Sequence, residues 1–169
     1  MKKELIMVGV SNQIKKRNNT KVETSEAVST TPKDVQIQND DSGIITLTAA
    51  TANIHGSLNY IAEQNKIGRW SNESDWINWD FELRQPGKFD IELSCGQTED
   101  GSVYQISVGD QKIKGTVVAS GDFKKPKIQK VGTITLSKQG TYVLSLKPVS
   151  KQGTVFMTFW QVNLIPVLK

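Results

Sequence analysis

The stretch Gly68–Leu83, GRWSNESDWINWDFEL, decides how this chain is read. From Trp76 onward its positions alternate: Ile77, Trp79, Phe81 and Leu83 share one side, while Trp76, Asn78, Asp80 and Glu82 share the other. A period of two with polar partners is the pattern of a half-buried antiparallel strand. Trp79, the largest residue on the apolar side, has the area to anchor a core. Trp76 breaks the polar side, and Trp70 precedes the strand in a segment of Gly, Ser, Asn and Glu. Neither indole is claimed by the inward pattern. With Asn72, Asp75 and Asn78 beside them they form either a sugar-stacking surface or apolar packing beneath a loop.

The same alternation recurs on both sides of this stretch. Gln85-Pro86-Gly87 reads as a turn, and it delivers Phe89, Ile91, Leu93 and Cys95 in alternation with polar residues. Tyr104, Ile106 and Val108 lead to a Gly109-Asp110 turn and a returning strand through Ile113 and Val117, a hairpin signature. Val131 to Leu136, Tyr142-Leu144-Leu146 and Thr154 to Val167 supply further strands. Upstream, Ile44 to Gly56 reads as a strand whose face is ambiguous, with a bulge in the small residues Ala49–Ala52. Ser57 to Arg69 reads as a long loop. Helical periodicity is absent. Around eight short strands at regular spacing, separated by Gly and Pro turns, predict an all-β antiparallel sandwich with jelly-roll connections. Its expected core includes Trp79, Phe81, Phe89, Ile91, Leu93, Ile106, Leu144 and Leu146.

Residues 1–43 are of another kind. Beyond a short apolar run, Leu5 to Val10, the segment is too polar to bury a face. It is expected to be a linker, with room for the last strand of a preceding module, and residues 44–169 to be the domain. The basic start MKK resembles a leader, but the apolar run after it is short and no small-residue cleavage site follows. The chain is then either cytoplasmic or a piece of a larger exported protein; the expectation is the second, working in the periplasm or outside the cell.

Composition narrows the function. A chain of 169 residues with 37% hydrophobic and 22% charged residues suits one globular domain. No apolar run approaches the roughly 20 residues that span a bilayer, so no membrane partner is expected. The net charge of +4 is spread over lysine clusters in the tail and one loop, without the interleaved aromatics of a nucleic-acid surface. The single Cys95 excludes an internal disulfide and a thiolate metal site. The single His55 is read as a structural hydrogen-bonder beside Gly56, since acid–base or zinc chemistry needs more partners than it has. No catalytic residues are assigned. Asp90 and Glu92 share a strand face but alternate outward, unlike two carboxylates facing across a cleft, and no Ser-His-Asp set or P-loop is present.

At this point a family resemblance enters. The order Ile67-Gly68, Trp70, Asp75-Trp76, Trp79 and Pro86-Gly87-Lys88-Phe89 resembles the carbohydrate-binding modules of families 6 and 35. Ser120-Gly121-Asp122-Phe123 is similar to their Thr-Gly-x-Trp loop, and Gln139-Gly140-Thr141-Tyr142 to their penultimate strand entry. The signatures NIHG and DWINWDF resemble more closely still a module appended to bacterial sulfatases and α-L-fucosidases. The resemblance covers about Ile44 to Val167. It implies a galactose-binding-like jelly roll, non-catalytic, binding glycan among loops at one end of the sandwich. The alternative is a structural module that packs beside a catalytic domain of the same parent protein. The residues it and the alternation nominate for the sugar are Trp70, Asn72, Asp75, Trp76, Asn78 and Phe123. Three departures stand out. Phe123 replaces a Trp, no binding asparagine precedes the last strand, and an Ala49-Ala50 pair with Asn163 stands where calcium-holding acids are expected. Structural calcium is therefore doubtful, because Ca²⁺ needs several oxygens including carboxylates.

Overall fold

The computed structural model describes residues 35–169. The strands are β1 (Gln36–Ile37), β2 (Ile45–Thr48), β3 (Asn53–His55), β4 (Asn59–Ile61), β5 (Lys66–Gly68) and β6 (Trp76–Leu83). They continue with β7 (Gly87–Gly96), β8 (Val103–Val108), β9 (Gln111–Thr116), β10 (Lys127–Leu136), β11 (Gly140–Ser150) and β12 (Thr158–Pro166). They form two sheets. The first runs β9-β8-β11-β6-β1, with β3 also paired to β6; the second runs β10-β7-β12-β5-β4, with β2 also paired to β12. All pairings are antiparallel except β1 with β6. The architecture is the expected all-β sandwich.

The alternating residues meet where the sheets face each other. Ile77, Trp79 and Phe81 of β6 lie opposite Leu146, Leu144 and Tyr142 of β11. Leu93 and Ile91 of β7 lie opposite Val162 and Leu164 of β12. Trp79, Phe81, Phe89, Ile91, Leu93, Ile106, Leu144 and Leu146 are all buried. Trp79 tilts against Phe159 of the second sheet, with ring centroids 5.4 Å apart. Its indole N–H crosses the sandwich to the carbonyl of Thr48, at 2.9 Å. Cys95 points inward as expected, and burial pushes its thiol up to about 12. Burial likewise pushes the Tyr104 hydroxyl up to about 12.

Three segments differ from the sequence reading. The small residues Ala49–Thr51 form a 3-10 turn rather than a bulge. At that turn the chain leaves the second sheet, where β2 pairs with β12, and enters the first, where β3 pairs with β6. Residues 57–69 carry a short hairpin, β4–β5, turned at Asn65 in the left-handed region (φ 45°). Its strands of three residues are too short to display an alternation. Residues 35–43 belong to the sandwich rather than to a linker. The backbone of Gln38 donates to Glu82, and its buried side chain sits beneath the β6–β7 turn. There the Gln38 amide N–H donates to the Gly43 carbonyl (2.7 Å), and its oxygen accepts from the backbone N–H of Arg84 (2.8 Å) and Gln85 (2.6 Å). The rest of the expected linker, residues 1–34, lies outside the described residues.

Two consequences can be measured. Trp79→Ala removes a fully buried indole and its inter-sheet hydrogen bond, and should cost roughly 3–5 kcal/mol in chemical denaturation. A loss below about 1 kcal/mol would contradict the packing described. Gln38→Ala strands two backbone N–H groups and should cost about 2–4 kcal/mol, whereas a true linker residue would cost nothing. The buried thiol and phenol also fix a sign: both bind their protons more tightly folded than unfolded. Their contribution to stability is fully present below pH about 9, the ordinary thiol value, and is lost as pH rises towards about 12. Cys95→Ser should shallow that alkaline decline.

Candidate functional site

The antiparallel order brings the starts of β6, β8, β10 and β12 together with the ends of β7, β9 and β11. The loops at 69–75, 97–102, 117–126 and 151–157 therefore gather at one end of the sandwich. The six nominated residues lie at or near this end, in three separate settings.

The first setting is structural. Trp70 is fully buried, with its ring edge-on to Phe156 at 5.1 Å. Its indole N–H donates to the Asp75 carbonyl (3.1 Å), and its own carbonyl accepts from the Phe156 N–H (2.6 Å). The Asp75 carboxylate, 4% exposed, accepts from the N–H (3.2 Å) and hydroxyl (2.9 Å) of Ser57. Asn72 donates to that same hydroxyl at 3.1 Å. Gly56, at φ 109°, makes room for the carboxylate, which a side chain there would strike. Trp70 thus offers no face to a sugar, and Asp75 is spent on the turn before β4. Both are corrected from platform and ligand to loop fasteners, because an indole in a loop is ordered most cheaply by burying it.

The second setting is open. Trp76 and Asn78 stand on the outer face of the first sheet, as the alternation requires. The His55 ring stacks on Trp76 with centroids 3.8 Å apart and 9° between planes. The Lys147 ammonium sits 4.2 Å from the centroid of the same indole. A parallel ring at that distance leaves no space for an ammonium on its own side, so His55 and Lys147 cover opposite faces. Their positions follow from register: β3 flanks β6 on one edge and β11 on the other. His55 Nε2 lies 2.6 Å from Asn78 Oδ1 and, when protonated, donates to it. That is the hydrogen-bonding role read for His55 from the sequence.

Register extends this group into two rows across the sheet. One runs His55, Trp76, Lys147, Gln105 and Lys114. The next runs Asn53, Asn78, Ser145, Ser107 and Lys112. Neither row contains a carboxylate. Sequence reasoning missed Lys147, Gln105 and Lys114. Parity already put Lys147 outward from Leu144 and Leu146, and the Gly109-Asp110 turn already set Gln105 opposite Lys114. What no local signal gives is that β11 lies between β6 and β8.

The third setting is a small cleft of about 110 Å³ lined by Phe123, Thr98, Glu99, Gln152 and Thr154. Phe123 is half-buried there. The cleft is held by Gln97, 2% exposed, whose amide N–H donates to the carbonyls of Val155 (2.6 Å) and Phe156 (2.9 Å). The Gln97 carbonyl accepts from Ser120 and Gly121, so one residue ties three loops together. A larger cavity, about 380 Å³, opens at the opposite end around Gln38, Phe89 and Pro166, away from all six nominated residues.

The place where the resemblance puts calcium does not suit it. Ala49 is buried in an apolar turn, and the Asn163 oxygen accepts from Gln161 at 3.4 Å. Among the described residues no three His, Cys, Asp or Glu side chains converge as ligands.

Comparison with known structures places the fold. A family 35 carbohydrate-binding module from Clostridium thermocellum matches with a TM-score of 0.60 at 13% identity, over 73% of this chain and 98% of the module. The module CBM6cm-2 from Cellvibrio mixtus lichenase 5A, solved with cellotriose, matches at 0.56 and 15%, over 73% and 97%. An α-L-fucosidase from Vibrio sp. strain EJY3 matches at 0.53 and 18%, over 80% of this chain but only 24% of the enzyme. The insecticidal crystal protein Cry2Aa also matches, at 0.64 and 7%, and again the chain spans only about a quarter (23%) of it. At such identities the likeness is one of fold, that of the family 6 and family 35 modules. Among curated proteins none matches. The sequence profile described as Domain of unknown function (DUF5077) matches residues 51–165, more than half of the chain, and the chain belongs to that family.

Proposed function

We propose that this domain is a non-catalytic glycan-binding module whose contact surface is the outer face of the first sheet around Trp76, Asn78, His55 and Lys147. Phe123 and its cleft lie at the loop end of the same sandwich. One observation carries the reading: two adjacent cross-strand rows on the outer sheet face bring together half-buried amides and hydroxyls, exposed ammoniums and a stacked aromatic pair. Hydroxyl-rich ligands are held by planar amides and charged donors placed around an aromatic ring, whose apolar face and polar edge suit a wet contact surface. The fold shared with modules that include a cellotriose binder supports the same reading.

The module would serve a larger enzyme, a glycoside hydrolase of the α-L-fucosidase kind or a sulfatase, by holding it near polysaccharide. That work belongs in the periplasm or outside the cell. The fucosidase in which this fold makes up about a quarter of the chain illustrates the arrangement. A second reading, a structural module without a ligand, is favoured by Trp70 and Asp75, which are consumed inside the loops.

The readings separate on a glycan array followed by titration of tryptophan fluorescence. An open sheet face predicts a Kd on the order of 10 μM to 1 mM. Trp76→Ala should weaken binding by about tenfold or more. Trp70→Phe should lower stability and leave affinity unchanged. A blank array, or a hit indifferent to Trp76→Ala, would overturn the sheet-face site and leave the structural module standing.

A further inference from the structure

The sheet face carries more chemistry than a neutral sugar uses. Lys147, Lys114 and Lys112 all project from it, and all three are exposed. Lys147 and Lys114 share a row on either side of Gln105, two strand spacings or roughly 10 Å apart. Lys112 occupies the neighbouring row beyond Ser107. Among the described residues none of the three pairs with a carboxylate, whereas Arg84 and Lys130 elsewhere do. The acidic residues of β6, Asp80 and Glu82, begin only in the rows beyond. The face therefore holds three unneutralised ammoniums at regular spacing, among hydroxyl and amide groups.

The capped indole adds a second, independent constraint. A neutral sugar that stacks on Trp76 must first displace His55 or Lys147 from its faces, and it offers the ammonium only uncharged hydroxyl acceptors in exchange, weaker partners than an anionic group. An anionic sugar draws Lys147 off the ring into an ion pair and leaves that ring face for itself. The ring and the lysine then act together, and only on a ligand that carries negative charge.

We propose that the ligand of this face is an anionic polysaccharide, sulfated or carboxylated, read by Lys147, Lys114 and Lys112 beside Trp76. This rests on the glycan-binding reading above and names its substrate class. Nucleic acid shares the charge, but its successive bases stack on a series of aromatic platforms, where this face holds one outward tryptophan, so it is an outcome of the test.

The test compares dextran sulfate with unsulfated dextran, and polygalacturonate with its methyl ester, by calorimetry with the full chain at about 50 and 200 mM salt. Single-stranded DNA is the nucleic-acid arm. At least one charged polymer should bind about tenfold tighter than its neutral counterpart, and that advantage should shrink at the higher salt. Lys147→Gln and Lys114→Gln should each weaken charged-polymer binding about three- to tenfold. Lys138→Gln, in the exposed β10–β11 turn, should change it less than about twofold. Circular dichroism confirms that each variant is folded. Equal loss with Lys138→Gln, or equal binding of DNA, would show unspecific charge attraction and overturn the proposal. A neutral glycan bound as tightly by the lysine variants as by the parent would overturn the anionic class while leaving the glycan reading intact. Absence of binding to every polymer and to the array would remove both.

Discussion

A buried indole needs an acceptor for its N–H, and in this sandwich that requirement is met by the Thr48 carbonyl across the core. Thr48 is the last residue of β2 paired to β12. Its carbonyl is aimed at Trp79 where the chain turns out of the second sheet through Ala49–Thr51. The small side chains of that turn let the backbone pass close beneath the core, with Ala49 and Ala52 buried. The chain then emerges as β3 beside β6, its first residue Asn53 opposite Asn78, the neighbour of Trp79. His55 arrives opposite Trp76 as a direct result. The inward tryptophan and the outward one are thus linked: satisfying the first places the cap on the second.

Elsewhere the sandwich is closed by side chains that imitate backbone. Gln111 of β9 both donates to and accepts from the backbone of Thr135 in β10, at 2.7 and 3.1 Å, as a paired strand residue would. Gln129 of β10 reaches back to the Thr116 carbonyl, the Tyr104 hydroxyl and the Val118 N–H. These two amides join the edge strands of the two sheets along one seam, where each edge would otherwise expose unpaired groups. Gln38 does the same for the β6–β7 turn and Gln97 for the loop end. An amide carries one donor group and one acceptor on a flexible stem, so it completes a ladder that backbone geometry cannot reach.

That chemistry explains what the sequence displays and what it hides. Alternation reports which side of a strand faces the core, so Trp79, Phe89 and Leu144 were legible, and so was the outward position of Trp76. A residue in a loop has no parity, so nothing local showed that Trp70 is buried. Glutamines read as surface, because nothing local distinguishes a solvated amide from one that caps a turn 47 residues away, as Gln38 does for Gln85. The lysine rows stayed hidden for a related reason. Lys147, Lys114 and Lys112 come from strands whose adjacency is a property of the whole topology, and only Lys112 and Lys114 share a hairpin.

The outward tryptophan shows how a surface aromatic is kept from being a liability. Left bare, Trp76 would offer apolar area to any passing partner. Capped by His55 on one side and Lys147 on the other, it is held by contacts of unequal exchangeability. His55 is fixed by its bond to Asn78 and by the short strand β3. Lys147 rests on the ring through a cation–π contact worth about 0.5–1 kcal/mol at an exposed site, at the end of a flexible stem. The lysine face is the one that yields, and its cost of yielding is comparable to what one exposed ion pair returns. Selectivity at such a site lies in what happens to the displaced ammonium rather than in the ring itself. A partner that re-engages the charge recovers the loss, and one that does not binds weaker by about that amount, a few-fold in affinity.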